Sequence, residues 1–280
     1  MTQERMNLVS IDINVLQEIY FAHDKPVPYQ LRDGNTLNIL PVYVQDFAVF
    51  YHSVGILKID KNALNKVEYI QMKYLQFLFE VMFPQDKFYI QQFINIINLC
   101  LDLKKAMINA DERGKVYIYD EEKQIKIDAK DFDEISRIIM YQNFYRYDDS
   151  YVNPDVQRAM REVDELKGKA YEEISLERKE AIITTHTGIS KKDLEEMTYR
   201  SFSMLFDEVC GEVEFTTTRE IALFAGKGDE IEHWIYKKKK NKMDGYFVTT
   251  EQYAKSMGRK PTDIVQGDGS VSSKYASFTK

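Results

Sequence analysis

Apolar positions recur along this chain at spacings of two and of three to four, and the switches between the two mark out its elements. In YQLRDGNTLNI, residues 29–39, Tyr29 and Leu31 stand before an Asp33-Gly34 turn and Leu37 and Ile39 after it, with polar residues between. That pattern predicts a β-hairpin. Pro41 then allows an extended VYV step, and Asp46 is placed to cap a short helix running to Val54. Over residues 67–82, Leu75, Leu78, Phe79 and Met82 fall at i, i+3, i+4 and i+7, and Ile70, Tyr74, Phe77 and Val81 widen the same face. A single helix is expected there, stopped by Pro84. From 87 to about 109 the polar residues form the narrow stripe: Gln91, Asn95, Asn98, Asp102 and Lys105 are spaced for one side of a helix that is otherwise apolar. Such a helix must be covered, by its own domain or by a partner. Residues 115–127 predict a second hairpin, Val116 and Ile118 against Ile125 and Ile127, and a helix from about 131 to 145 buries Phe132, Ile135 and Ile139.

The fold class expected is α+β and predominantly helical. Two small hairpins and long apolar helices make an N-terminal α+β domain over 1–150, and a mainly helical domain follows over 151–258. The boundary is set at YRYDDSYVNPD, where Asn153 and Pro154 can open a new helix extending to about 172. Helical segments are expected at 175–185, 190–197 and 198–210, with Ser190 and Asp193 as a capping box and Gly188 and Gly211 as stops. VEF at 213–215 reads as a separate apolar step before a helix at 218–225. Ile231, Trp234 and Ile235 mark another helix, GYFV a short strand, and Thr250 to Gly258 a last helix. Residues 259–280 lack periodicity and read as a flexible tail.

Composition narrows the function classes. The 280 residues are 44% hydrophobic and 30% charged, a balance that supports a folded core. With 38 Lys+Arg against 45 Asp+Glu the net charge is −7, which argues against a general polyanion binder. Cys100 and Cys210 each sit in an apolar helical pattern and read as buried hydrophobes, consistent with a reducing compartment. Polar residues break every apolar run of the N-terminal twenty, so neither a signal peptide nor a membrane-spanning helix is expected.

Chemistry-bearing motifs are sparse. His23, His52, His186 and His233 have no ligand partner at zinc spacing, and no metal or cofactor is expected. AGKGDE at 225–230 lacks the spacing of a phosphate loop, and adjacent acids such as Glu121-Glu122 and Glu195-Glu196 identify no general acid or base. KKKKNK at 237–242 is a positive patch that fits either a solvated helix end or an anionic contact. Residues 175–209 admit a helix-turn-helix reading with TGIS as the turn. Its reading helix, YRSFSMLFDEV, offers one Arg and two acids, poor equipment for a DNA groove.

Three segments, PYQLRDGNTLNILPVYVQDF, THTGISKKDLEEMTYRSFSMLFDEV and IEHWIYKKKKNK, resemble the tail-assembly proteins of tailed bacteriophages, of the chaperone type that accompanies the tape-measure protein. The resemblance implies a non-enzymatic protein of the host cytoplasm that holds a helical tail component during assembly, with other virion proteins as further partners. It brings no catalytic residues. The apolar faces of 67–82 and 88–103 supply the expected grooves, with Leu75, Leu78, Phe79, Met82, Phe93, Ile97 and Trp234 as the partner-binding candidates. Two alternatives stand beside this: a structural component of the neck or baseplate that stays in the virion, and a helix-turn-helix regulator. An active site assembled from distant residues would leave no local motif.

Overall fold

The structure, a computed structural model, describes residues 12–64, 66–150, 156, 158–160, 162–163, 174–227, 231, 233 and 235. It is predominantly helical α+β, with two small antiparallel sheets. One compact unit joins 12–150 with 174–227; a second takes the chain between them and beyond, where helical backbone is described at 156, 158–160 and 162–163.

In the first unit, α1 (Ile13–Ile19) is capped by Asp12, whose carboxylate accepts from Asn14 N at 2.9 Å. The expected hairpin follows as β1 (Val27–Gln30) and β2 (Thr36–Ile39), with Tyr29 opposite Leu37 and Val27 opposite Ile39. Alternation buries Val27, Tyr29, Leu37 and Ile39, and Gly34 supplies the positive φ of +93° that the turn requires. Asp46 occupies the cap position of α2 (Phe47–Ser53), but its side chain makes no capping hydrogen bond.

The single helix expected over 67–82 is broken. α3 (Val67–Gln71) ends at Met72 and Lys73, both extended, and α4 (Tyr74–Phe77) begins beyond them. Lys61 Nζ donates to the carbonyls of Ile70 (3.1 Å) and Met72 (2.7 Å), so a cation from the preceding 3-10 turn, Lys61–Leu64, satisfies the end of α3. α4 continues into a π turn, Leu78–Met82. Its wider repeat keeps Leu78, Val81 and Met82 in the core and turns Phe79 outward to 36% exposure.

α5 (Lys87–Leu101) is shorter than expected: Asp102 adopts the left-handed conformation and closes it, with Asp102 N on Asn98 O at 3.1 Å. The residues assigned to its last turns form β3 (Ala106–Ala110) instead. This strand pairs with β4 (Val116–Asp120), which pairs with β5 (Ile125–Asp128), so Ile108, Ile118 and Ile127 lie in one row of a three-stranded sheet. The polar stripe of α5 is partly consumed within the fold, since Asn95 Nδ2 donates to Ser53 Oγ at 2.9 Å. Beside it, Gln92 Nε2 donates to His52 O at 2.6 Å. α6 (Ala129–Asn143) follows, capped by Asp128, with Phe132, Ile135 and Ile139 buried.

The remaining elements are α7 (Leu176–Thr187), α8 (Lys191–Glu195) and α9 (Tyr199–Phe224), each with its Ser or Thr cap: Ser175, Ser190 and Thr198. Gly188 ends α7 at φ +74°, as its position predicts. Gly211 does not stop a helix, and 213–215 is no separate step: α9 runs unbroken through both, because VEF has no neighbouring strand to pair with.

The boundary expected near residue 150 marks where the chain leaves the first unit, not where that unit ends. Residues 174–227, assigned to a separate helical domain, pack back onto 12–150. The joint is the segment 40–44. Leu40 N donates to Cys100 O (2.7 Å), Val42 N to the Asn143 side chain (2.8 Å) and Val44 N to Met197 O (2.9 Å), while Tyr199 N donates back to Val42 O (2.8 Å). Tyr43 and Thr198 form an isolated antiparallel bridge. Around it the Phe47 and Tyr199 rings stack with centroids 3.6 Å apart, Arg200 donates to Tyr141 O at 2.7 Å, and Val44 joins Ile183, Leu194 and Phe202 in a second small core. Two of the three segments that carry the phage resemblance thus meet in space. The strand expected at 245–248, the helix expected at 250–258, the tail and the KKKKNK patch lie outside the described residues.

Candidate functional site

Most of the residues predicted to bind a partner are interior. Leu75, Leu78, Met82, Phe93 and Ile97 are buried in the main core, with the Phe93 ring set against Phe83 and Phe132. They hold the unit together and present nothing to a second molecule. Phe79 alone of the six described candidates reaches the surface, and Trp234 lies outside the described residues. The apolar surface of this region is carried by other side chains of α5. Phe88 is 57% exposed, and Ile90 and Ile94, four residues apart, share the outward face with Lys87, Gln91 and Asn98. Their signal was in the sequence: a helix apolar on so much of its circumference buries one side, Phe93, Ile96, Ile97, Cys100 and Leu101, and leaves apolar positions over.

A partly buried ionic cluster ties the first hairpin to the start of α6. Tyr29 Oη lies 2.8 Å from Glu134 Oε2 and 3.1 Å from Asp131 Oδ1, and shares its single proton between them. Arg32, on the hairpin turn, places its guanidinium 3.4 Å from Asp131, 3.3 Å from Glu134 and 3.9 Å from Asp128. The Asp131 side chain is 1% exposed. Burial first, then the charge of Asp128, pushes its carboxyl above the ordinary range against the pull of Arg32 and Tyr29. The Tyr29 hydroxyl is raised by burial and by the same carboxylates.

This arrangement gives a pH prediction with a definite sign. A carboxyl whose folded pKa exceeds its unfolded value contributes stability when protonated, and loses it as pH rises from about the ordinary 3.8 through the raised folded value. The melting temperature of the wild type minus that of Asp131→Asn is therefore expected to fall as pH rises through this window and then to level. A difference that grows with pH contradicts the assignment.

Burial raises the Cys100 thiol, and burial with Asp207 and Glu214 raises that of Cys210, so neither is an activated nucleophile. Among the described residues no three His, Cys, Asp or Glu side chains converge on a metal-ion position, and no helix is long and apolar enough to cross a membrane. Arg200, the one arginine of the would-be DNA-reading helix, is buried against Tyr141 O and the Phe21 ring. Comparison with protein-family models, with curated proteins and with solved structures finds no match to this chain.

Proposed function

We propose that this chain is a non-enzymatic binding protein of phage tail morphogenesis, which holds an amphipathic helix of a tape-measure-type tail component against the outward face of α5 in the host cytoplasm. The observation that carries the reading is the exposure of Ile90 and Ile94, one helical turn apart on the outward face of α5. Large apolar side chains at helical spacing on a rigid element suit helix-on-helix packing, in which apolar positions of a partner cover them from water. The tail-assembly part of the reading is supported by the sequence resemblance, two of whose segments meet at the Tyr43–Thr198 bridge.

Co-expression with a tape-measure protein from the same genome tests it. The expected result is a co-purifying complex and a larger soluble fraction of the tape-measure protein than it reaches alone. Absence of both removes the reading. Recovery of the chain in purified virions in stoichiometric amount would favour the neck or baseplate alternative instead.

A further inference from the structure

The row Ile127, Ile118, Ile108 crosses the three-stranded sheet and stops at β3, where Ile108 is half-buried against the main core. Among the described residues no strand pairs with the far edge of β3. Asp111 N donates to Lys115 O at 3.0 Å, and the antiparallel alternation that starts from this bond turns the backbone groups of Asn109 and Met107 toward β4. Those of Ala106, Ile108 and Ala110 point outward. Edge strands are commonly protected by a proline, a bulge or a charge within the strand. The opposite edge, β5, carries Lys126 and Asp128, whereas β3 reads AMINA and pairs with β4 in unbroken register.

We propose that a second copy of this chain covers this edge, β3 against β3, antiparallel and centred on Ile108. Ala106 then lies opposite Ala110 and Ile108 opposite Ile108, each pair exchanging both backbone hydrogen bonds through the outward groups. The isoleucine row continues across the twofold axis, and the closed symmetry leaves no β3 edge open to a third copy. The same register sets Lys105 of each copy opposite Asp111 of the other. Lys105 already lies 3.6 Å from Glu122 in an exposed pair, and Asp111 has Lys115 and Lys126 nearby, so this contact fixes the register and contributes little affinity. Parallel pairing in register would set like charges side by side.

Sedimentation velocity of the full chain over about 1–100 μM tests the proposal. A monomer–dimer equilibrium is expected, weakened at least about tenfold by Ala110→Pro, which removes an outward N–H from each copy and leaves the β4 ladder intact. A second variant tests the register by itself. Met107→Cys/Asn109→Cys, in a Cys210→Ser background, is expected to give a disulfide-linked dimer on oxidation, because the antiparallel register brings positions 107 and 109 of the two copies face to face. A monomer throughout the concentration range overturns the proposal. So does a dimer that Ala110→Pro leaves at wild-type affinity, or a cysteine pair that yields no linked dimer. Protection of β3 amides from exchange only in complex with the tape-measure-type protein would assign the edge to that partner and overturn it too.

Discussion

Phe202→Ala is expected to destabilise the first unit by about 3–5 kcal/mol, the cost of removing a fully buried aromatic ring and leaving a cavity. For a unit of this size that corresponds to a fall in melting temperature of about 10 °C. The distribution of the loss is more informative than its size. Phe202 packs with Val44, Ile183 and Leu194, and Val44 belongs to the 40–44 joint, so α9 and the N-terminal elements share one core boundary. Amide exchange is therefore expected to accelerate in α5 and α6 along with α7 to α9. Faster exchange confined to α7, α8 and α9 would mean that residues 174–227 fold on their own, and would contradict the joint.

Asn143→Ala is expected to cost about 2–3 kcal/mol, more than a surface asparagine, because the buried Val42 N–H loses its acceptor and the core loses the asparagine's packing. Its Oδ1 accepts from Val42 N at 2.8 Å and its Nδ2 donates to Ile139 O at 2.9 Å, at a position that is almost fully buried. Val42 N–H would then be left in the core without an acceptor. Chemical denaturation with an unchanged slope and a lower midpoint is the expected signature. A midpoint within experimental error of the wild type would show that water reaches Val42 and that the joint is looser than its distances indicate.

The elements read most securely from sequence are those fixed by local chemistry. The first hairpin needed only the alternation around Asp33-Gly34, and the starts of α7, α8 and α9 needed only Ser175, Ser190 and Thr198. The misread elements turn on partners outside their own segment. The break at Met72 is satisfied by Lys61, and β3 exists because β4 is available to pair with a segment whose own pattern continues the helix before it. The unity of 12–150 with 174–227 depends on a backbone bridge between residues 155 apart, which no composition shift records. At the candidate site the same limit appears in another form. Periodicity marked 75–82 and α5 as apolar, yet it could not say which apolar residues the core would take. A π turn moved Phe79 outward, and α5 buried Phe93 and Ile97 while leaving Ile90 and Ile94 outside. The Tyr29, Arg32, Asp131 and Glu134 cluster was invisible because it joins residues about a hundred positions apart.

The most direct test of a partner-holding role for α5 is quantitative co-purification of the tape-measure-type protein with Ile90→Asp/Ile94→Asp. Both side chains are exposed, so the melting temperature is expected to stay near that of the wild type while the complex is lost. Met107→Asp, an exposed apolar position on β3, is expected to retain the complex. Retention by Ile90→Asp/Ile94→Asp at wild-type yield would contradict the account.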